Sequence, residues 1–261
     1  MQAVGTLPSC KGLRCRPCGQ PRPRQLRLLC KARGSPAAPP QPPTGAQPTL
    51  GSAELGQLAF WAALSGAALG PICDSAHSRF DVLHYTSPTI TWPIETCWWV
   101  PPLFAVAAVT LCCGHVLLDP RGDPPRCGTQ PGWPVVLAGI AAFCLQYAFS
   151  GAFESTLGLT SPLLFHGLLL GSGLGLWYAV DGTRQGLLWA ILTAALGPVL
   201  EVVLINNLGL YHYTHPDVAG IPLFIPWVYL AGAPANGNLG RQIAATLASR
   251  RTEGAGGAGE R

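Results

Sequence analysis

LGLTSPLLFHGLLLGSGLGLWYAVDGTRQGLLWAILTAALGPVLEVVLI, residues 157–205, decides the fold. Two apolar runs, Leu157–Val180 and Leu187–Ile205, flank a tight polar turn, Asp181-Gly182-Thr183-Arg184. A helix needs about 20 apolar residues to cross a hydrocarbon core roughly 30 Å thick. Both runs approach that length, and neither alternates apolar with polar residues as a half-buried strand does. Only helices and closed barrels satisfy their backbone groups in lipid, and continuous runs select helices. The stretch therefore predicts two adjacent membrane spans joined at a water face.

Working outward, four more runs read the same way: Leu55–Cys73, Thr96–Leu118, the shorter Pro134–Ser150, and Pro222–Leu247 with its Gly/Pro/Asn-rich middle. Trp98-Trp99 and Trp177-Tyr178 mark interfacial belts. Residues 119–133 are a polar, turn-rich loop. Composition agrees: 11% of the 261 residues are charged and 49% apolar, with mean hydropathy +0.31. A soluble domain carries roughly 25% charged residues, so this chain lacks the charge to solvate a soluble surface. The fold class expected is all-α, a polytopic membrane protein with about six transmembrane helices over residues 51–248, followed by a disordered tail, 249–261.

Residues 1–50 follow other rules. They hold eight basic residues and no acid, with many Pro and Cys and no apolar run. That composition reads as an organellar transit peptide followed by a Pro-rich linker, Pro36–Pro48. A plastid membrane is the first choice of destination, with the endoplasmic reticulum membrane as alternative. Cys15 and Cys18 make a lone C-x-x-C with no second pair, and Cys73, Cys97, Cys112, Cys113, Cys127 and Cys144 fall in or beside apolar runs, where Cys behaves as a small apolar residue. No disulfide framework is read. Arg121, Arg126, Arg184, Arg250, Arg251 and Arg261 share the side of the N terminus, with Arg241 toward the same end of its span; Arg79 alone lies opposite. This bias puts both termini in the cytosol or stroma.

Ionisable groups inside spans are functional candidates by default. Glu201 is the foremost, five residues before Asn206; a protonated carboxyl there can hydrogen-bond a ligand hydroxyl, or it pairs with Asn236, Asn238 or a Tyr hydroxyl. Glu201, Asn206, Tyr211, Tyr213 and Trp177 form the ligand-binding set expected. His115 and His166 read as core histidines. His212, His215 and Asp217 have metal-ligand chemistry on paper, but also suit an interfacial anchor, and no metal or cofactor is expected. No phosphate loop, nucleophile elbow or H-E-x-x-H occurs, and nothing points to nucleic acid. G-x-x-x-G at Gly66/Gly70 and Gly171/Gly175 is read as packing this bundle. His84-Tyr85-Thr86-Ser87-Pro88 is echoed by His212-Tyr213-Thr214-His215-Pro216, and Trp99-Val100 by Trp227-Val228, each 128 residues on.

Gly209-Leu210-Tyr211-His212-Tyr213-Thr214-His215-Pro216-Asp217, Gly237-Asn238-Leu239-Gly240-Arg241-Gln242, Gly175-Leu176-Trp177-Tyr178-Ala179-Val180-Asp181-Gly182-Thr183-Arg184 and Trp98-Trp99-Val100-Pro101-Pro102 resemble, in order and spacing, motifs of the Insig (insulin-induced gene) family. The resemblance implies an Insig-like six-helix bundle with cytosolic termini, an oxysterol-type ligand, and a membrane-protein partner contacted through Asp181 beside Arg184. It departs at Gly182, Gln185 and Ala233-Pro234-Ala235-Asn236, and in the Arg-rich leader. The function expected is a non-enzymatic protein that binds a sterol or isoprenoid lipid in the bundle and regulates a membrane partner. The alternatives are an intramembrane enzyme acting on an isoprenoid or carotenoid, with Glu201, His212 and Asp217 as acid/base groups, and a small-molecule transporter.

Overall fold

A computed structural model describes residues 50–257. The segment expected as a transit peptide, with Cys15 and Cys18, and the expected linker Pro36–Pro48 lie outside the described residues. Among the described residues six long helices form one bundle: α1 (Ser52–Arg79), α2 (Val100–Leu118), α3 (Trp133–Phe153), α4 (Pro162–Val180), α5 (Arg184–Asn206) and α6 (Ile225–Gly257). Two short strands, β1 (Leu83–Tyr85) and β2 (Tyr211–Tyr213), complete it.

Local chemistry sets the ends. α2, α3 and α4 each carry Pro in their first turn, where the missing N–H has no helical partner to lose. Thr183 caps α5, its hydroxyl accepting from the Gly186 amide at 2.9 Å. Interior prolines occur in α1, α5 and α6, at Pro71, Pro198 and Pro234; a membrane bundle tolerates them because neighbouring helices re-satisfy the freed carbonyls.

Among the described residues, α1 to α5 are long and apolar enough to cross a membrane. Their outer faces present bare hydrocarbon, with Leu163 88% and Leu145 70% exposed. α6 differs in kind. It touches each of the other five helices and is buried along most of Val228–Ala245. Its surface meets protein rather than lipid, so small residues replace large apolar ones. A Cβ on Gly240 would stand 2.6 Å from the Cys112 carbonyl oxygen, so only glycine lets α2 approach this closely.

The helix ends correct several expectations. The last helix starts at Ile225, not Pro222, and runs to Gly257, through the segment expected as a tail from 249. α3 spans Trp133–Phe153 and continues into a π-helical turn, Glu154–Gly158. Gly66 packs as expected: a Cβ there would collide with the Phe104 carbonyl oxygen. Gly171 and Gly175 do not, since nothing lies within 4 Å of either position. That glycine pair faces out of the bundle.

The 128-residue echo has a structural meaning. β1 and β2 pair antiparallel, Leu83 with Tyr213, His84 with His212 and Tyr85 with Tyr211. The two equivalent histidines stack at 5.2 Å. The helix–strand–helix units α1-β1-α2 and α5-β2-α6 thus meet at their strands about a local two-fold.

Candidate functional site

Two buried carboxylates lie beneath this ribbon. Asp74 comes from the last turns of α1 and Glu201 from α5, and both are buried. Asp74 accepts from the Tyr85 hydroxyl at one oxygen and from Tyr147 at the other, the latter at 2.9 Å. Glu201 accepts from Tyr213 and from Tyr229, each at 2.7 Å. A carboxyl taken out of water is costly unless its lone pairs are satisfied, and four phenols do that here. Burial is the first cause that pushes the Tyr85, Tyr211 and Tyr213 hydroxyls above the usual phenol range. They therefore remain protonated and keep donating. Tyr211 stacks on Trp99 with centroids 5.9 Å apart.

The halves of the site are equivalent. Gly70-Pro71-Ile72-Cys73-Asp74 matches Gly197-Pro198-Val199-Leu200-Glu201, 127 residues on, and Tyr85 matches Tyr213. Each unit brings its acid from the first helix and a phenol from its strand. Asp74 escaped sequence reading because it lies one residue past the expected end of the first span. The G-P-x-x-acid repeat was the signal that finds it.

Both carboxylates, with Trp99, Tyr211, Tyr213 and Tyr229, line one small cavity of about 30 Å³. Phe104 and Tyr229 also wall an apolar cavity of about 110 Å³ in the centre of the bundle, which reaches Gly66, Cys73, Phe143 and Tyr147. A groove of about 280 Å³ between α2 and α5 shares Phe104, Ala107, Leu111, Thr193 and Tyr229 with that cavity, and runs along the exposed Val106 and Leu196. The three spaces adjoin through shared walls: an apolar groove on the outer face, an apolar chamber and a small polar cavity.

A second buried cluster sits at the other end of α6. The Arg241 guanidinium bonds both Asp119 oxygens, at 2.7 and 2.8 Å, and Asp181 at 2.8 Å; all three side chains are fully buried. Asn238 accepts from Arg241 at 3.1 Å and donates to the Val180 carbonyl. Asp181 also receives the Thr183 amide at 2.9 Å and the Thr183 hydroxyl. The cluster fastens the ends of α2 and α4 and the start of α5 to α6.

The expected ligand set divides. Glu201, Tyr211 and Tyr213 come together. Asn206 is exposed and bonds the Ala219 carbonyl, and Trp177 donates to the Thr183 carbonyl at the opposite end of the bundle. Glu201 pairs with Tyr hydroxyls, rather than with Asn236 or Asn238. Asp181 does not face water beside Arg184, because Arg241 holds it inside; Arg184 is exposed and pairs with Asp123 at 3.5 Å. His212, His215 and Asp217 separate: His212 stacks on His84, His215 reaches Glu154 at 3.4 Å, and Asp217 accepts from the Leu223 amide. His115 bonds the Leu111 carbonyl, and His166 accepts from Trp227. Among the described residues no three His, Cys, Asp or Glu side chains gather as metal ligands.

No family model matches the chain. It is 27% identical over 246 residues to the insulin-induced gene 1 protein of Cricetulus griseus, covering 90% of this chain and 93% of that one. Nine-tenths of the chain exceeds what residues 51–261 supply, so this likeness reaches into the leader. The Xenopus laevis protein of the same name is 28% identical over 181 residues, 69% of each chain. The crystal structure of an Insig homologue from Mycobacterium vanbaalenii superposes with a TM-score of 0.61 at 21% identity, over 72% of this chain and 95% of that one. The family resemblance carried by the motifs is thus met again in overall sequence and in fold: the chain is similar to the insulin-induced gene proteins and has the fold of a polytopic helical membrane protein.

Proposed function

We propose that this chain is a non-enzymatic membrane protein that holds a sterol or isoprenoid lipid between its spans and through that ligand regulates a membrane-protein partner. One observation carries the reading: an apolar groove between α2 and α5, an apolar chamber and a small cavity at the tyrosine-ringed carboxylates adjoin through the shared walls of Phe104 and Tyr229. A ligand with a long hydrocarbon body and one hydroxyl suits that gradient. The body fills the groove and chamber, whose joint size reaches the lower end of ligand pockets, roughly 300–1,000 Å³. The hydroxyl joins the Tyr229–Glu201 hydrogen bonds. The resemblance to Insig proteins supports the ligand class and the regulatory role.

Saturable binding of a labelled sterol or prenyl alcohol to the purified protein tests this. Ala107 lines both groove and chamber, so Ala107→Trp fills the shared wall and weakens binding by about tenfold or more, roughly 1.4 kcal/mol. Absence of saturable binding across sterols, carotenoids and quinones overturns the reading.

The enzyme alternative gains from one feature: Asp74, rather than His212 or Asp217, converges with Glu201 on one cavity. Turnover of a bound isoprenoid, lost in both Asp74→Asn and Glu201→Gln while binding persists, selects that reading.

For location we retain the plastid membrane, with the endoplasmic reticulum membrane as alternative. The support is the acid-free, Arg-rich leader alone. A fluorescent C-terminal fusion, with and without residues 1–50, decides between them.

A further inference from the structure

Cys73 on α1 and Cys144 on α3 face each other with their sulfurs 3.3 Å apart. Both line the wall of the central apolar chamber. Two other thiols in the bundle use their hydrogens differently: Cys97 donates to the Ser87 carbonyl and Cys112 to the Asn236 carbonyl. In the Cys73–Cys144 contact a thiol instead meets a thiol from a neighbouring helix. A disulfide needs its sulfurs about 2.03–2.05 Å apart, so roughly 1.3 Å of approach closes the bond.

We propose that Cys73 and Cys144 form an oxidisable dithiol site, whose substrate is a membrane-soluble organic hydroperoxide and whose product staples α1 to α3. One thiol sulfur attacks the terminal peroxide oxygen. The O–O bond breaks, the alcohol departs with that thiol's proton, and a sulfenic acid remains. The second thiol attacks the sulfenic sulfur, the S–S bond forms, and water leaves carrying the second proton. Two thiols lose two electrons and two protons, and the hydroperoxide becomes alcohol and water. The lipid-facing groove that shares walls with the chamber gives an apolar oxidant its route.

The staple acts on the neighbouring hydrogen bond. Cys73 directly precedes Asp74, Cys144 lies one helical turn before Tyr147, and the Tyr147 hydroxyl bonds Asp74 at 2.9 Å. The disulfide fixes that pair and stiffens the chamber wall. None of this depends on the chamber's holding a sterol.

The test uses the full chain in lipid nanodiscs. After cumene hydroperoxide, free thiols are capped with N-ethylmaleimide and unreduced peptides are mapped by mass spectrometry. A Cys73–Cys144 linked peptide appears about tenfold or more ahead of any link through Cys97, Cys112, Cys113 or Cys127, and dithiothreitol removes it. In Cys144→Ser the link is lost and dimedone captures Cys73 as its sulfenic adduct; Cys73→Ser gives the same capture at Cys144. Recovery of both residues as capped thiols while other cysteines oxidise, or linkage of Cys73 to all partners at equal rates, overturns the proposal.

Discussion

At the scale of single residues, most of the unusual chemistry lies in groups that contact neither water nor lipid. Arg241 is the clearest. Its removal leaves Asp119 and Asp181 buried without their cation, and breaking a buried pair this way costs about 3–5 kcal/mol. Arg241→Ala therefore lowers thermal stability in detergent steeply. Arg184→Ala, which severs only the exposed pair with Asp123, stays within about 1 kcal/mol. Equal losses for the two variants would contradict the assignment. Any loss of partner binding in Asp181→Ala follows from the same cluster and comes with lost stability, because Asp181 itself reaches no surface. The tyrosines add a pH dependence. Their folded values are raised above the unfolded value of about 10, so their stabilisation is complete below pH 10 and falls as pH rises beyond it, where only the unfolded chain ionises. In a Tyr178→Phe background, which removes the half-exposed tyrosine, phenolate absorbance that rises together with loss of helicity checks this; phenolate formed at pH 10 in that fully folded bundle refutes it. Glu201 was legible in sequence as an acid within an apolar run. Asp74 was legible only through the G-P-x-x-acid repeat it shares with Glu201, because it lies one residue past the expected end of its apolar run and its partner Tyr147 is 73 residues away.

At the scale of elements, five helices were legible because lipid imposes an apolar surface that composition records. The centre and length of α6 were harder to read. A helix enclosed by five others is selected for small size and fit rather than for hydropathy, and its polar Asn238 and Arg241 are compatible with the bundle only through contacts made at long range. The same reasoning separates two identical motifs. Gly66 abuts the α2 backbone, so Gly66→Leu pushes α1 off its neighbour and costs several kcal/mol, as overpacking in a close-packed interior does (about 1–3, occasionally more). Gly171 has open space beside it, so Gly171→Leu leaves the melting temperature of the detergent-solubilised protein nearly unchanged. A reversed order of the two melting temperatures would show that α4, not α1, uses its glycines within this bundle.

At the scale of the whole molecule, six crossings would place both termini on one side, and the uneven distribution of arginine independently favours the same arrangement. The bundle has one end made of the start of α1, the α2–α3 loop, the α4–α5 turn and the last turns of α6; Arg251 meets Glu54 there at 3.1 Å, and Arg126 stacks over Tyr178 at 3.7 Å. The other end carries the β ribbon, with Arg79 bonded to the Pro93 carbonyl. Arg121, Arg126, Arg184, Arg250 and Arg251 thus lie at one end and Arg79 at the other. Near an anionic leaflet each such residue contributes about 1 kcal/mol, so inversion of the bundle would cost several kcal/mol. Epitopes placed at the C terminus and within residues 122–131 should be reached by antibody from one compartment. An epitope after Asp217, in the loop that leaves β2, should be reached only after the membrane is opened. The C-terminal epitope discriminates most sharply, since a bundle with five spans separates it from the 122–131 loop, whereas an inverted six-span bundle exchanges all three. Labelling of the Asp217 site together with the C terminus would require α6 to lie within the bundle without crossing the membrane. In that case Arg241 would have to reach Asp119 and Asp181 from a helix that never passes between them.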